Sequence, residues 1–222
     1  MLRRLLSTAL LLTLTAAIAH AAARVPQVAV SGTALATFFA SQGQTIDVNN
    51  QQLDLQVLNV PALTNFEVRV FGPEVATTGF GAYNTAPVSP PLYLIAPGAA
   101  TPGWYEVASF RSGPSRLVVN MFDQLNSVQG TNTYNGADAT AFGFYDQGVT
   151  GPFYTQDSRN GGTARILAYN GTGARLGWTW FACETGAGPG GDYADFIALV
   201  NLSLAPVPVL RSDWGTLKRR FR

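Results

Sequence analysis

The sequence predicts an all-β protein: an antiparallel β-sandwich of jelly-roll type, with one short N-terminal helix and a short basic helix or tail at the C-terminus. Short apolar runs recur from residue 53 to residue 204, two of them in strict alternation. Clusters of Gly, Pro, Asn and Ser separate the runs, as at Pro87 to Pro91 and Ala96 to Gly103. Many short strands divided by such turn signals indicate a sandwich or a jelly roll.

The elements follow in order. Thr33 to Gln42 is the helix candidate: Leu35, Phe38 and Phe39 share a face at helical spacing, Ser31 or Thr33 is placed to cap the start, and Gly43 ends it. Leu53 to Val57 and Phe66 to Val70 alternate apolar and polar residues, the pattern of a half-buried strand. Further strands are expected at Leu92 to Ile95, Trp104 to Phe110, Arg116 to Phe122, Phe142 to Tyr145, Arg165 to Tyr169, Leu176 to Ala182 and Phe196 to Leu204. A short echo links Phe80-Gly-Ala-Tyr-Asn84 with Phe142-Gly-Phe-Tyr-Asp146, as two equivalent strand ends of a double sheet would.

Residues 1–23 read as an export signal: Arg3 and Arg4, an apolar run from Leu5 to Ile18, then small residues around Ala19-His20-Ala21 and Ala21-Ala22-Ala23. The expected organisation is a signal peptide over 1–23, a sandwich domain over 24–204, and a proline-containing linker and basic tail over 205–222. A secreted or cell-surface location follows as the expectation. No later run approaches the roughly 18 apolar residues of a spanning helix, so no transmembrane segment is expected. His20 is the one histidine and leaves with the signal, which removes histidine-based triads and histidine-ligated zinc from consideration. Cys183 is the one cysteine, so no internal disulfide forms, and its apolar context reads as core. Residues 24–210 carry 7 basic and 12 acidic side chains, a balance that argues against nucleic acid as the partner.

The chemistry-bearing segment is Glu184-Thr-Gly-Ala-Gly-Pro-Gly-Gly-Asp192-Tyr-Ala-Asp195, between two strand-like runs. Carboxylates set in flexible backbone suit calcium, which takes 6–8 oxygens and accepts backbone carbonyls among them. Glu184, Asp192 and Asp195 are the candidate metal ligands, with Asp157 as a fourth, against the plainer reading of solvated turn residues. Gly186, Gly188 and Gly191 spell a dinucleotide fingerprint, but a strand rather than a helix follows, which excludes that reading. Asp192 and Asp195 are too close in sequence to flank a sugar ring as a glycosidase pair. Tyr134, Tyr154 and Trp104 are aromatics that would stack on sugar rings if exposed, with core packing the simpler role for Trp104.

These motifs carry a resemblance. Phe181-Ala-Cys-Glu184, Gly190-Gly191-Asp192-Tyr193-Ala194-Asp195-Phe196, Phe142-Gly-Phe-Tyr145, Phe153-Tyr-Thr-Gln-Asp157 and Asn160 to Tyr169 resemble the secreted bacterial domain of unknown function, family 4114, of PEP-C-terminal sorting proteins and calcium-rich adhesins. Leu35 to Phe39, Thr45-Ile-Asp-Val48 and Phe80 to Asn84 resemble the region that precedes that domain, so the likeness spans residues 33–204. It implies a calcium-associated extracellular β-sandwich. This chain departs from the pattern at Thr185, Ala194 and Ala164-Arg165, where relatives carry further ligand-type residues. The fold therefore transfers better than the metal site.

Pro206-Val-Pro-Val-Leu210 reads as an extended linker, after which Ser212-Asp213 is placed to cap a helix over Trp214 to Phe221. Trp214, Leu217 and Phe221 share a face, with Lys218, Arg219 and Arg220 around them, an end suited to an anionic surface or to sorting machinery. The expected function is a secreted, non-enzymatic recognition or surface-structure module, with calcium as a stabilising ion and an extracellular glycan or surface component as the ligand. The alternative is a carbohydrate-binding or carbohydrate-active domain.

Overall fold

The computed structural model describes residues 33–61, 63–72, 78–97, 103–111, 115–148, 150–186 and 191–202. The expected export signal and the linker and tail of residues 205–222 lie outside the described residues. The chain starts with helix α1 (Thr33–Ser41) and continues through β1 (Gln52–Leu53), β2 (Asn65–Phe71), β3 (Phe80–Asn84), β4 (Leu92–Ala96), β5 (Tyr105–Arg111) and β6 (Arg116–Phe122). It is completed by β7 (Val128–Asn135), β8 (Phe142–Gly148), β9 (Gly151–Tyr154), β10 (Ile166–Asn170), β11 (Thr179–Cys183) and β12 (Phe196–Asn201). The strands form two antiparallel sheets, eight strands in the order β1-β10-β11-β12-β2-β5-β6-β7 and four in the order β4-β3-β8-β9. This is the expected all-β sandwich.

Alternation explains the layering. Phe66 and Val68 of β2, Ala108 and Phe110 of β5, and Leu117 and Val119 of β6 point inward and are buried. They meet Phe80 and Ala82 of β3, Tyr93 and Ile95 of β4, and Phe142 and Phe144 of β8 across the sandwich. The Phe144 ring bridges the layers, 5.0 Å from Phe80 within its own sheet and 5.0 Å from Phe181 on the opposing one. Aromatic burial on this scale dominates core energetics.

Strands β10, β11 and β12 are buried on both faces, because α1 covers their outer side. Leu35 and Phe39 of α1 pack on Leu167, Tyr169, Trp180, Ile197 and Leu199 in a second core. Phe39 lies 5.2 Å from Tyr169 and 5.7 Å from Trp180, edge to face. The helical spacing read from Leu35 and Phe39 thus has a packing cause: the sheet is apolar on both sides here and requires a cover.

Two expectations need correction at the level of single strands. The run Leu53 to Val57 is strand only at its start. Gln56 is drawn away from a ladder, its carbonyl accepting from Thr155 Oγ1 (3.0 Å) and its Oε1 from the Asp157 N–H (3.0 Å), so the chain leaves the sheet edge to bind the β9–β10 connection. Leu176 is not strand but turn, 82% exposed, and β11 begins three residues later.

Candidate functional site

The outer face of the small sheet is built by a reciprocal pairing. In the β3–β8 register, Gly81 is opposite Tyr145 and Gly143 is opposite Tyr83. A Cβ on Gly143 would stand 2.6 Å from the Tyr83 hydroxyl oxygen and 2.7 Å from its ring, so only glycine lets the tyrosine lie flat across the neighbouring strand. The echoed Phe-Gly-x-Tyr motif is this arrangement. Tyr83 is fully buried, and burial raises its pKa. What buries it is the wall of a pocket.

That pocket, of about 420 Å3, is lined by Ala86, Val88, Tyr154, Gln156, Ser158 and Arg159. Tyr154 ends β9 and meets Tyr83 edge to face at 4.9 Å. Asn160 fixes the turn behind it, its Oδ1 accepting from the Tyr154 N–H (2.9 Å) and its Nδ2 donating to the Tyr154 carbonyl (2.7 Å). Arg159, in the 3-10 turn Asp157–Asn160, lies over the Tyr83 and Tyr154 rings at 5.4 and 5.7 Å. Its guanidinium donates to three carbonyls of the β3–β4 loop: Thr85 (2.6 Å) and Pro87 (2.7 Å) from Nη2, and Val88 (3.0 Å) from Nη1. One planar fork therefore clamps the opposite wall of the pocket.

Gln156 is oriented by the same network. Arg159 Nε, which can only donate, lies 2.8 Å from one terminal atom of the Gln156 amide, so that atom is the oxygen. The Tyr83 hydroxyl donates to the same oxygen at 3.0 Å. The Gln156 NH2 group is left to the pocket, without a protein partner among the described residues. The pocket combines an aromatic body, an oriented amide, a hydroxyl and a guanidinium, with no acidic side chain among the described residues of its lining.

The acidic loop has a different organisation. Glu184 and Asp195 are brought together: the Thr185 N–H and Oγ1 both donate to Asp195 Oδ2 at 3.0 Å, beside the Glu184 carboxyl group. Glu184 accepts from the Gly186 N–H (3.0 Å) and the Tyr193 N–H (3.3 Å), and a Cβ on Gly191 would strike its Oε2. Burial, then the charge of Asp195, hold the Glu184 pKa above its ordinary value. Tyr193 adopts a left-handed φ of 54° and buries its ring in the helix-side core, its hydroxyl donating to the Ala164 carbonyl (2.8 Å). Asp192 is exposed, its Oδ1 accepting from the Ala194 N–H (3.0 Å). Arg165 donates to the Gly186 carbonyl (2.6 Å) and so occupies a backbone oxygen of the loop with a cation of its own.

Asp157 belongs to the turn behind the Tyr154 pocket, where it opens the 3-10 segment. No group of three or more His, Cys, Asp and Glu side chains among the described residues is arranged to hold a metal ion. Two touching carboxylates, already supplied with N–H donors, fall short of calcium's oxygen cage, so these residues by themselves do not fit the ion. Residues 187–190 of the loop lie outside the described residues.

Of the three aromatics singled out from sequence, Tyr154 lines the pocket. Tyr134 is half-buried against Tyr93 at 5.7 Å, and Trp104 is half-buried. Gln156, Ser158 and Arg159 escaped sequence reasoning, although they directly follow Tyr154. A polar cluster after a strand-ending tyrosine was the available signal. A second aromatic surface lies on the large sheet, where Arg69 sits 4.8 Å over Tyr105 and Tyr105 stacks on Phe122 at 5.2 Å. Those groups pair with one another and with Glu67 and Asn126.

No family model matches the chain, and no curated protein matches it. Among solved structures, the Ralstonia solanacearum high-affinity mannose-binding lectin is 16% identical, with 68% of this chain and 98% of the lectin covered and a TM-score of 0.33. The Chromobacterium violaceum lectin CV2L, in complex with alpha-methyl-fucoside, is 15% identical, with 68% and 97% covered and a TM-score of 0.30. Likenesses at this TM-score carry no argument about fold or ligand.

Proposed function

We propose that this chain is a secreted, non-enzymatic carbohydrate-binding module whose saccharide site is the Tyr154 pocket. The observation that carries the reading is the Gln156 amide, locked by Arg159 and Tyr83, beside the Tyr154 ring in an open cavity of about 420 Å3. Small-ligand sites commonly span 300–1,000 Å3 and join an apolar or aromatic body to a few oriented polar groups. A pyranose offers the matching surfaces: a C–H face for the ring and hydroxyls around its rim. The non-enzymatic reading is supported by the lining. Glycosidases place two carboxyl groups about 5–9.5 Å apart across the sugar, whereas the described residues of the pocket lining include none and Glu184 and Asp195 touch.

The test is a glycan array followed by calorimetry with the best hit, on the wild type and on Tyr154→Ala. Binding that Tyr154→Ala weakens by about tenfold or more, the loss of one buried aromatic contact, supports the reading. An array without signal, or equal affinity in the variant, removes it.

A further inference from the structure

The donor inventory of the pocket is lopsided. Arg159 has five N–H donors. Four are spent, on the carbonyls of Thr85, Pro87 and Val88 and on Gln156 Oε1. All four acceptors are neutral, so they orient the guanidinium without cancelling its charge. One Nη1–H and both hydrogens of the Gln156 amide remain for a ligand. Among the described residues the remaining lining is Ala86, Val88, Tyr154 and Ser158, none of them acidic. Neutral sugars present hydroxyls that need acceptors as well as donors, and here the oriented acceptor, Gln156 Oε1, is already doubly occupied. A ligand rich in acceptors and carrying negative charge matches this lining better.

We propose that the saccharide recognised here is acidic, with its anionic group, a carboxylate or a sulfate ester, held between Gln156 Nε2 and Arg159 Nη1. This rests on the carbohydrate-binding reading above and names the ligand class for that site. A hydrogen bond to a charged partner contributes more than a neutral one, enough for about tenfold discrimination.

The experiment is calorimetry with three trisaccharides: oligogalacturonate, its neutral galactose counterpart, and a galactose 6-sulfate oligomer. Expected is a preference of about tenfold or more for an anionic ligand over the neutral one, shrinking as added salt screens the charge. Which anionic oligomer binds tighter identifies carboxylate or sulfate as the source. Gln156→Glu keeps an oxygen for Arg159 and Tyr83 but replaces the ligand-facing NH2 with a second acceptor. It is expected to abolish the acidic preference while the melting temperature stays near that of the wild type. Neutral and anionic ligands binding equally would overturn the acidic assignment and leave the carbohydrate reading standing. Unchanged preference in Gln156→Glu would overturn it too. If none of the three binds and the glycan array is also blank, both readings fail together.

Discussion

Gly143 lies directly across from Tyr83 in the β3–β8 pairing, and the missing side chain of one is the seat of the other. The tyrosine then reaches over β8 to hold Gln156, so a glycine in one strand positions an amide at the pocket. Gly143→Ala is expected to cost on the order of 2–4 kcal/mol, since the intruding methyl meets the Tyr83 ring and Thr155 Oγ1 (2.7 Å) in a packed layer. Gly161→Ala, at φ 68° with nothing within 4 Å, is expected to cost only about 1 kcal/mol for the left-handed backbone. Urea denaturation of the two variants checks the contrast, and equal losses would refute the packing account.

Arg159 is expected to tolerate no replacement, lysine included. A single ammonium cannot reproduce the planar fork that reaches Thr85, Pro87, Val88 and Gln156 together. Arg159→Lys should release the β3–β4 loop, and limited proteolysis should then cut within Thr85 to Pro91 several times faster than in the wild type. Cutting at the wild-type rate would mean that the loop is held by other contacts.

Glu106 predicts an alkaline weakness. It points inward from β5, opposite Val68, and burial pushes its pKa up from 4.5 to about 8. The folded protein therefore keeps a proton that the unfolded chain releases. That stabilising uptake is complete below the unfolded value and is lost as pH rises through the folded one. Melting temperature is expected to fall between about pH 5 and pH 9, and Glu106→Gln should flatten the fall. A wild-type profile as flat as the variant's would count against a buried, protonated Glu106.

The acidic loop predicts a compensating pair. Gly191→Ala drives a methyl into the Glu184 carboxyl group and should destabilise the protein. In the background of Glu184→Ala the same change should be nearly neutral, and a double-mutant cycle measures the coupling. Full additivity would show that the two do not touch. Melting in millimolar calcium and in chelator completes the test: the described residues alone predict equal temperatures, and a rise with calcium would contradict that expectation.

Strand periodicity was readable wherever one face is apolar and the other wet. Phe66 to Val70 and Arg116 to Phe122 announce β2 and β6 on that ground. Val128 to Asn135 does not, because β7 is exposed along nearly its whole length and is held by its ladder to β6 rather than by an apolar face. The unequal sheets, eight strands against four, depend on pairings that no local pattern records. The site was legible in part. Tyr154 stood out as an aromatic, whereas the Arg159 clamp joins residues 71 to 74 positions apart. In the acidic loop, the three carboxylates look equivalent in sequence but differ in the structure. The left-handed, inward-turned Tyr193 sits between Asp192 and Asp195, leaving one exposed and the other against Glu184.

The double burial of β11 sets a time order on opening. Its amides sit beneath α1 on one side and the small sheet on the other, so their exchange with solvent requires nearly global unfolding. The β7 amides lie at an open edge and exchange through local fraying. Between these extremes stand the pocket walls, which come from the β3–β4 loop and the segment that follows β9 rather than from strand interiors, so they are expected to open before β11 does.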